Sequence, residues 1–179
     1  MDIKATDVKA LRDKTGAGMM DCKNALVEAN GNMAEAEKIL KEKGLAAMAK
    51  RADRATAEGR IFVRTVENEI YVIELTCETD FVSNGADFVA LGEKLLDVTI
   101  EKGLTAVEQV HKDLLTEFTI KTRENMSVNS VNVYEIPENG VGSTYVHSDH
   151  KTGAVVLIKG SNADVVKQFA YDCCLHIAA

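Results

Sequence analysis

No stretch of the 179-residue sequence approaches the roughly 18 consecutive apolar residues that a bilayer-spanning helix needs. Met1 to Lys14 carries neither an apolar signal core nor an Arg-rich, acid-poor transit pattern. A cytoplasmic location is therefore expected, with no membrane partner. Cys22, Cys77, Cys173 and Cys174 form no C-x-x-C pair, and adjacent cysteines on a helix diverge by about 100°. They read as reduced core thiols. A metal reading would join Cys173 to His176 at i, i+3 and recruit Cys77 from elsewhere, but the chain has no metal-ligand spacing, and no metal or other cofactor is expected. It also lacks a Gly-rich phosphate loop and a nucleophile paired with a base. A thiol or metal enzyme built on Cys77, Cys173, Cys174 and His176 is thus kept only as a contrasting class, and the expectation is a protein that is not an enzyme.

The charge that is present is unevenly placed. Residues 1–54 hold eleven Lys/Arg against nine Asp/Glu, residues 55–179 ten against nineteen, and the net charge is −7. An acidic body repels nucleic-acid phosphate, and the N-terminal excess of two is too small to drive such binding, so no direct nucleic-acid partner is expected. With 46% hydrophobic and 27% charged residues, the chain can bury at least one core and divide into two or three small units.

Caps and periodicity predict three short helices in the first 44 residues. Thr6 is the expected cap of the first, which Gly16 and Gly18 break. The second runs from about Met19 to Ala29 and stops at Asn30-Gly31. Asn32 with Glu35 caps the third, which Gly44 is expected to end. An Ala-rich, basic connector, expected to be helical, follows from Leu45 to Glu58. Arg60 to Thr65 and Ile70 to Cys77 read as a hairpin turned at Glu67-Asn68-Glu69. Asp87 to Lys102 is amphipathic, Thr105 with Glu108 is the expected capping box of a further helix to about Glu124, and Ser127 to Ile136 is a third strand. This order is an antiparallel α+β unit. Gly142 to Ala179 restarts it with the strands STYVHS and GAVVLIKG and a helix whose buried stripe is expected to be Val166, Phe169, Ala170, Cys173 and Ile177. Tyr171 and Leu175 on its far side, together with the missing second helix and third strand, suggest a chain truncated from something longer.

Several residues invite a functional reading beside a plain one. On the second helix Cys22, Ala25, Leu26 and Ala29 share the core side, while Met20, Lys23 and Val27 share the opposite side and Met19 lies between them. An apolar pair flanking a cation suits a partner surface, although scattered exposed apolar residues are also ordinary. Arg12 either reaches a partner carboxylate or stands as a solvated surface arginine. In Glu78 to Asn84, a connector between strand and helix, Asp80 could close an Asx turn and Phe81 could fall into the core, or both could be mounted for binding.

The run TGAGMMDCKNALVEANGN is similar to the N-terminal signature of the elongation factor Ts family, and TCETDFV is similar to its second signature, in the same order. The resemblance continues through GSTYVH to the terminal LHIAA. It implies a ubiquitin-associated-like three-helix bundle followed by antiparallel sheet-plus-helix core subdomains. The expected units are 1–54 (bundle and connector), 55–139 (N-terminal core subdomain) and 140–179 (first part of an incomplete C-terminal core subdomain). It also implies a guanine-nucleotide exchange factor that binds elongation factor Tu in its GDP form and promotes GDP release during translation elongation. By resemblance, Arg12, Met19, Met20 and Lys23 contact that partner's nucleotide domain, Asp80 and Phe81 enter near its magnesium-binding region, and His147 is a further contact. Some shorter family members dimerise, which leaves a homodimer as an oligomeric alternative. Where the family usually has Ile-Gly before Glu-Asn, this chain has Thr122-Arg123, which puts a partner contact there in question. The competing reading is a ubiquitin-associated-like interaction module unrelated to translation, which accounts for residues 1–44 and leaves CETDFV unexplained.

Overall fold

The computed structural model describes residues 3–104 and 108–179. Three helices open the chain: α1 (Ala5–Thr15), α2 (Met19–Glu28) and α3 (Met33–Arg51), packed around Val8, Leu11, Cys22, Leu26, Ala36 and Leu40. Gly16 ends α1 in the left-handed conformation, φ 68°, and its amide donates to the Arg12 carbonyl at 2.7 Å. Asn30 and Gly31 follow α2 at φ 50° and 82°. The Asn32 side chain caps α3 by accepting from the Glu35 amide at 3.1 Å.

Two expectations are corrected here. Thr6 is not the cap of α1: Lys4 holds that position, its carbonyl accepts the Asp7 and Val8 amides, and Thr6 sits within the first turn. Nor does Gly44 end α3. The helix continues seven residues further, to Arg51, and a Cβ on Gly44 would lie 2.3 Å from Ile120 Cγ1. Gly44 therefore serves a close helix-to-helix approach, which outweighs its weak helix propensity.

The central unit pairs β1 (Glu58–Val66) with β2 (Glu69–Cys77) through a tight turn in which Glu67 has φ 52°. Helices α4 (Asp80–Ser83), α5 (Ala86–Lys102) and α6 (Glu108–Thr122) follow, and β3 (Met126–Glu135) returns antiparallel to β2, giving the order β1-β2-β3. Alternate residues of β2, Tyr71, Ile73, Leu75 and Cys77, meet Phe88, Leu95 and Leu96 of α5 beneath the sheet. Gly92 lets the ring of Phe62 lie against the α5 backbone, where a Cβ would come within 2.0 Å of it. The expected cap Thr105 lies outside the described residues, and the helix beyond it begins at Glu108.

A second, two-stranded sheet pairs β4 (Gly140–Val146) with β5 (Gly153–Lys159), and α7 (Asp164–Ala178) packs on both strands. The fold is α+β, with antiparallel sheets throughout. The stripe expected on α7 is only partly right: Ala170 and Cys174 are buried and Val166 and Cys173 half-buried, whereas Phe169 and Ile177 are 61% and 64% exposed. Two strands about 4.8 Å apart are narrower than a helix about 10 Å across, so they cover one seam rather than a broad face. Among the described residues, no helix is long and apolar enough to cross a membrane.

Candidate functional site

Strand β2 ends at buried Cys77, and the chain then turns sharply into α4. Thr79 is extended (φ −127°, ψ 152°) and caps that helix, its hydroxyl oxygen accepting the Val82 amide at 3.4 Å. The same hydroxyl donates to Glu124 Oε1 at 2.6 Å, and Glu124 Oε2 accepts the Glu78 and Thr79 amides at 3.2 and 3.1 Å. Glu78 answers by accepting the Asn125 amide at 2.6 Å. At the far end of α4, Arg60 of β1 donates to the Ser83 carbonyl at 2.7 Å and to Asn84 Oδ1 at 2.9 Å. A four-residue helix, too short to persist alone, is thus tied down at both ends.

Val82 turns inward against the core, which directs Asp80 and Phe81 to solvent. Phe81 is 87% exposed. Both plain readings of this segment fail: Phe81 does not enter the core, and the turn is capped by Thr79 rather than by Asp80.

On α2 the two faces separate as the helical period requires. Cys22, Ala25 and Leu26 are fully buried, while Met20 is 65% and Val27 55% exposed, with Lys23 and Met19 also exposed. Arg12 is exposed on α1. His147 falls in the β4–β5 turn rather than on a strand, because β4 begins at Gly140 and ends at Val146. Its Nδ1 lies 3.0 Å from the Tyr145 hydroxyl.

That turn is fastened to the start of β1. The Ile61 amide donates to the His150 carbonyl at 2.8 Å, and Lys151 pairs with Glu58 at 2.5 Å. The Lys151 ammonium is held above its ordinary pKa first by the hydrogen bond to Glu58, with a smaller attraction from Asp80. The start of β1 therefore carries α4 through Arg60 and the His147 turn through Ile61 and Glu58. Arg12, Met19, Met20 and Lys23 form a separate group on the bundle. Bundle and core meet where Ile120 fills the space at Gly44 and where Arg123 pairs with Asp21 at 2.6 Å.

Sequence reasoning missed Glu124 and Arg60, whose partners lie 45 and 23 residues away. Thr122-Arg123 did stand out in the sequence. Arg123 has φ 62°, a region that glycine enters freely.

Two of the four thiols are shifted away from the reactive thiolate form. Burial, followed by the nearby Glu124 carboxylate, pushes the Cys77 pKa up to about 11, and Cys77 donates to the Thr79 carbonyl at 3.2 Å. Burial likewise raises Cys22, and buried Cys174 donates to the Ser143 carbonyl at 3.4 Å. Among the described residues, no three His, Cys, Asp or Glu side chains gather as a metal site. What the surface presents is a rigidly mounted aromatic ring and an apolar-plus-cation helix face, both suited to binding.

Residues 78–179 match the family model described as Elongation factor TS. The whole chain is similar to the elongation factor Ts of Treponema denticola, at 47% identity over 184 residues, and covers 66% of that protein. It is 46% identical over 195 residues to the elongation factor Ts of Treponema pallidum, covering 67% of it. Elongation factor Ts of Clostridium perfringens is 37% identical over 190 residues, with 99% of this chain and 62% of that protein aligned. The chain thus spans about two thirds of the length of the curated relatives it matches.

Proposed function

The chain belongs to the elongation factor Ts family of translation elongation factors, and from that footing we propose that it binds elongation factor Tu in its GDP form and promotes GDP release. The observation that carries this reading is Phe81, a large aromatic side chain 87% exposed on a helix braced by Arg60, Thr79 and Glu124. Most phenylalanines are buried, and one held rigidly in solvent is arranged for a partner.

The mechanism is linkage. A factor that binds the nucleotide-free partner better than the GDP-bound one must weaken GDP binding by the same factor. The Met20, Lys23 and Val27 face of α2, with Met19 and Arg12 beside it, docks on the partner's nucleotide domain. Asp80 and Phe81 then act as a wedge beside the magnesium ion and the loop that cradles the diphosphate, and His147 adds a contact from the neighbouring turn. Displacing those elements removes the contacts that hold GDP. No covalent step is involved. A ubiquitin-associated-like module alone accounts for residues 1–44 but gives Phe81 no role.

The test is stopped-flow release of a fluorescent GDP analogue from elongation factor Tu. Phe81→Ala is expected to slow catalysed release by roughly tenfold or more. Joint truncation of Met20 and Lys23 to Ala is expected to weaken partner binding instead. Release and affinity unchanged in both variants would reject the proposal.

A further inference from the structure

A cleft of about 280 Å³ lies between the bundle and α6, and neither Phe81 nor Met20, Lys23 or Val27 lines it. Leu40, Ala47 and Ile120 form its apolar side, while Asp21, Arg51, Thr119 and Arg123 supply the polar one. Lys43 also lines it but is paired with Glu28 at 2.5 Å.

Three features of these walls suit an anion. Thr119 is 1% exposed, and its hydroxyl has no hydrogen-bond partner. Its neighbours on α6 behave differently: Thr116 and Thr122 donate to the carbonyls of Lys112 and Phe118 at 2.7 and 3.2 Å. Native folds rarely leave a buried hydroxyl unpaired. Arg51 is half-buried and makes no ion pair among the described residues. The third feature is the start of α2. Its cap residue Gly18 offers no side-chain acceptor, and the Arg123 guanidinium lies 2.7 Å from where a Gly18 Cβ would sit. A cation at the positive end of a helix dipole is unfavourable, and Asp21 in the first turn is the only carboxylate on the cleft wall that offsets it.

We propose that this cleft binds a phosphomonoester of about nucleoside monophosphate size. The phosphate accepts from Arg51, Arg123 and the Thr119 hydroxyl, and the organic body lies along Leu40, Ala47 and Ile120. Two guanidinium groups match the geometry of phosphate oxygens, and the volume is at the lower end of small-molecule sites, about 300 Å³. Asp21 competes with the incoming anion for Arg123. The proposal does not depend on elongation factor Tu, and its test omits that protein.

The test is a nuclear magnetic resonance titration of the full chain with adenosine monophosphate, inorganic phosphate and adenosine as separate probes, following the Ala47, Thr119 and Ile120 methyl signals. Saturable shifts are expected with the monophosphate, with roughly tenfold weaker binding of the other two. Asp21→Asn removes the competing carboxylate and should tighten binding several-fold. Arg51→Gln and Thr119→Val should each weaken it by about tenfold, while Thr119→Ser, which keeps the hydroxyl, should retain affinity. Melting curves separate loss of binding from loss of fold. Equal binding of adenosine, weaker binding by Asp21→Asn in a folded protein, or no saturable shift with any probe at millimolar concentration would overturn the proposal.

Discussion

Glu124 holds Thr79 from 45 residues away, accepting its hydroxyl at 2.6 Å on one carboxylate oxygen and its amide at 3.1 Å on the other. The Glu78 amide shares that second oxygen at 3.2 Å. Replacing Glu124 with Ala leaves two half-buried amides and a hydroxyl to find water in a confined loop. The expected cost is about 1–3 kcal/mol, read as a lowered urea midpoint with an unchanged m-value. Glu124→Gln keeps an acceptor oxygen and should lose less. If α4 is the wedge, Glu124→Ala should also slow GDP release by loosening the helix that carries Phe81.

Gly44 and Ile120 set the approach of α3 to α6, with 2.3 Å between an added Cβ and Ile120 Cγ1. Ala is the better helix former by about 1 kcal/mol, so Gly44→Ala would stabilise an isolated α3. In the packed chain the overlap costs about 1–3 kcal/mol and should outweigh that gain. Gly44→Ala is therefore expected to be less stable than the parent in chemical denaturation. Ile120→Ala removes the colliding atoms, so the double variant should be more stable than the sum of the two single effects implies. Simple additivity would show that the contact does not set the approach.

What was readable beforehand follows the range of the forces involved. The Asn30-Gly31 stop, the Asn32 cap and the hairpin at Glu67 are decided within a few residues, and those signals are strong. Gly44 carries two meanings, terminator or close approach, and only the position of Ile120 chooses between them. Phe81 was ambiguous for a similar reason: whether Val82 or Phe81 turns inward depends on how Arg60 and Glu124 orient α4. On α7 the helix itself was evident, but which residues it buries depends on the width of the sheet beneath it, and Ile177 stays exposed. The outward Met20, Lys23 and Val27 face of α2 needed only the helical period, because its neighbours α1 and α3 both lie on one side.

His111 of α6 is buried against α5, its Nε2 3.1 Å from the Thr99 hydroxyl and 3.3 Å from the Leu95 carbonyl. Thr99 already donates to that carbonyl at 2.8 Å. Burial lowers the histidine pKa, and the hydrogen bond to Leu95 opposes this only in part. The fold therefore favours the neutral ring, which becomes charged more readily once unfolded. The stability this supports is complete above the unfolded pKa of about 6.5 and is lost as pH falls from there toward the lower folded value. Urea midpoints between about pH 7.5 and pH 5.5 should decline in the parent and decline less in His111→Gln. Equal slopes in both proteins would assign the acid sensitivity to other groups.

Arg123 opposes two local effects that a single substitution can separate. At φ 62° the residue occupies left-handed space, where a non-glycine side chain costs roughly 1 kcal/mol. Its guanidinium meanwhile pairs with Asp21 at 2.6 Å, with both side chains more than half exposed. A pair so open to solvent contributes between nothing and about 1 kcal/mol, and salt weakens it further. Arg123→Gly removes strain and ion pair together, so it should leave stability within about 1 kcal/mol of the parent at low salt and raise it slightly at high salt, where only the relief of strain remains. Arg123→Ala keeps the strained backbone and loses the pair, so it should be less stable than Arg123→Gly at every salt concentration. If the two variants melt together, the left-handed backbone at this position relaxes once the arginine is gone, and Arg123 acts on stability through its charge at the bundle–core cleft alone.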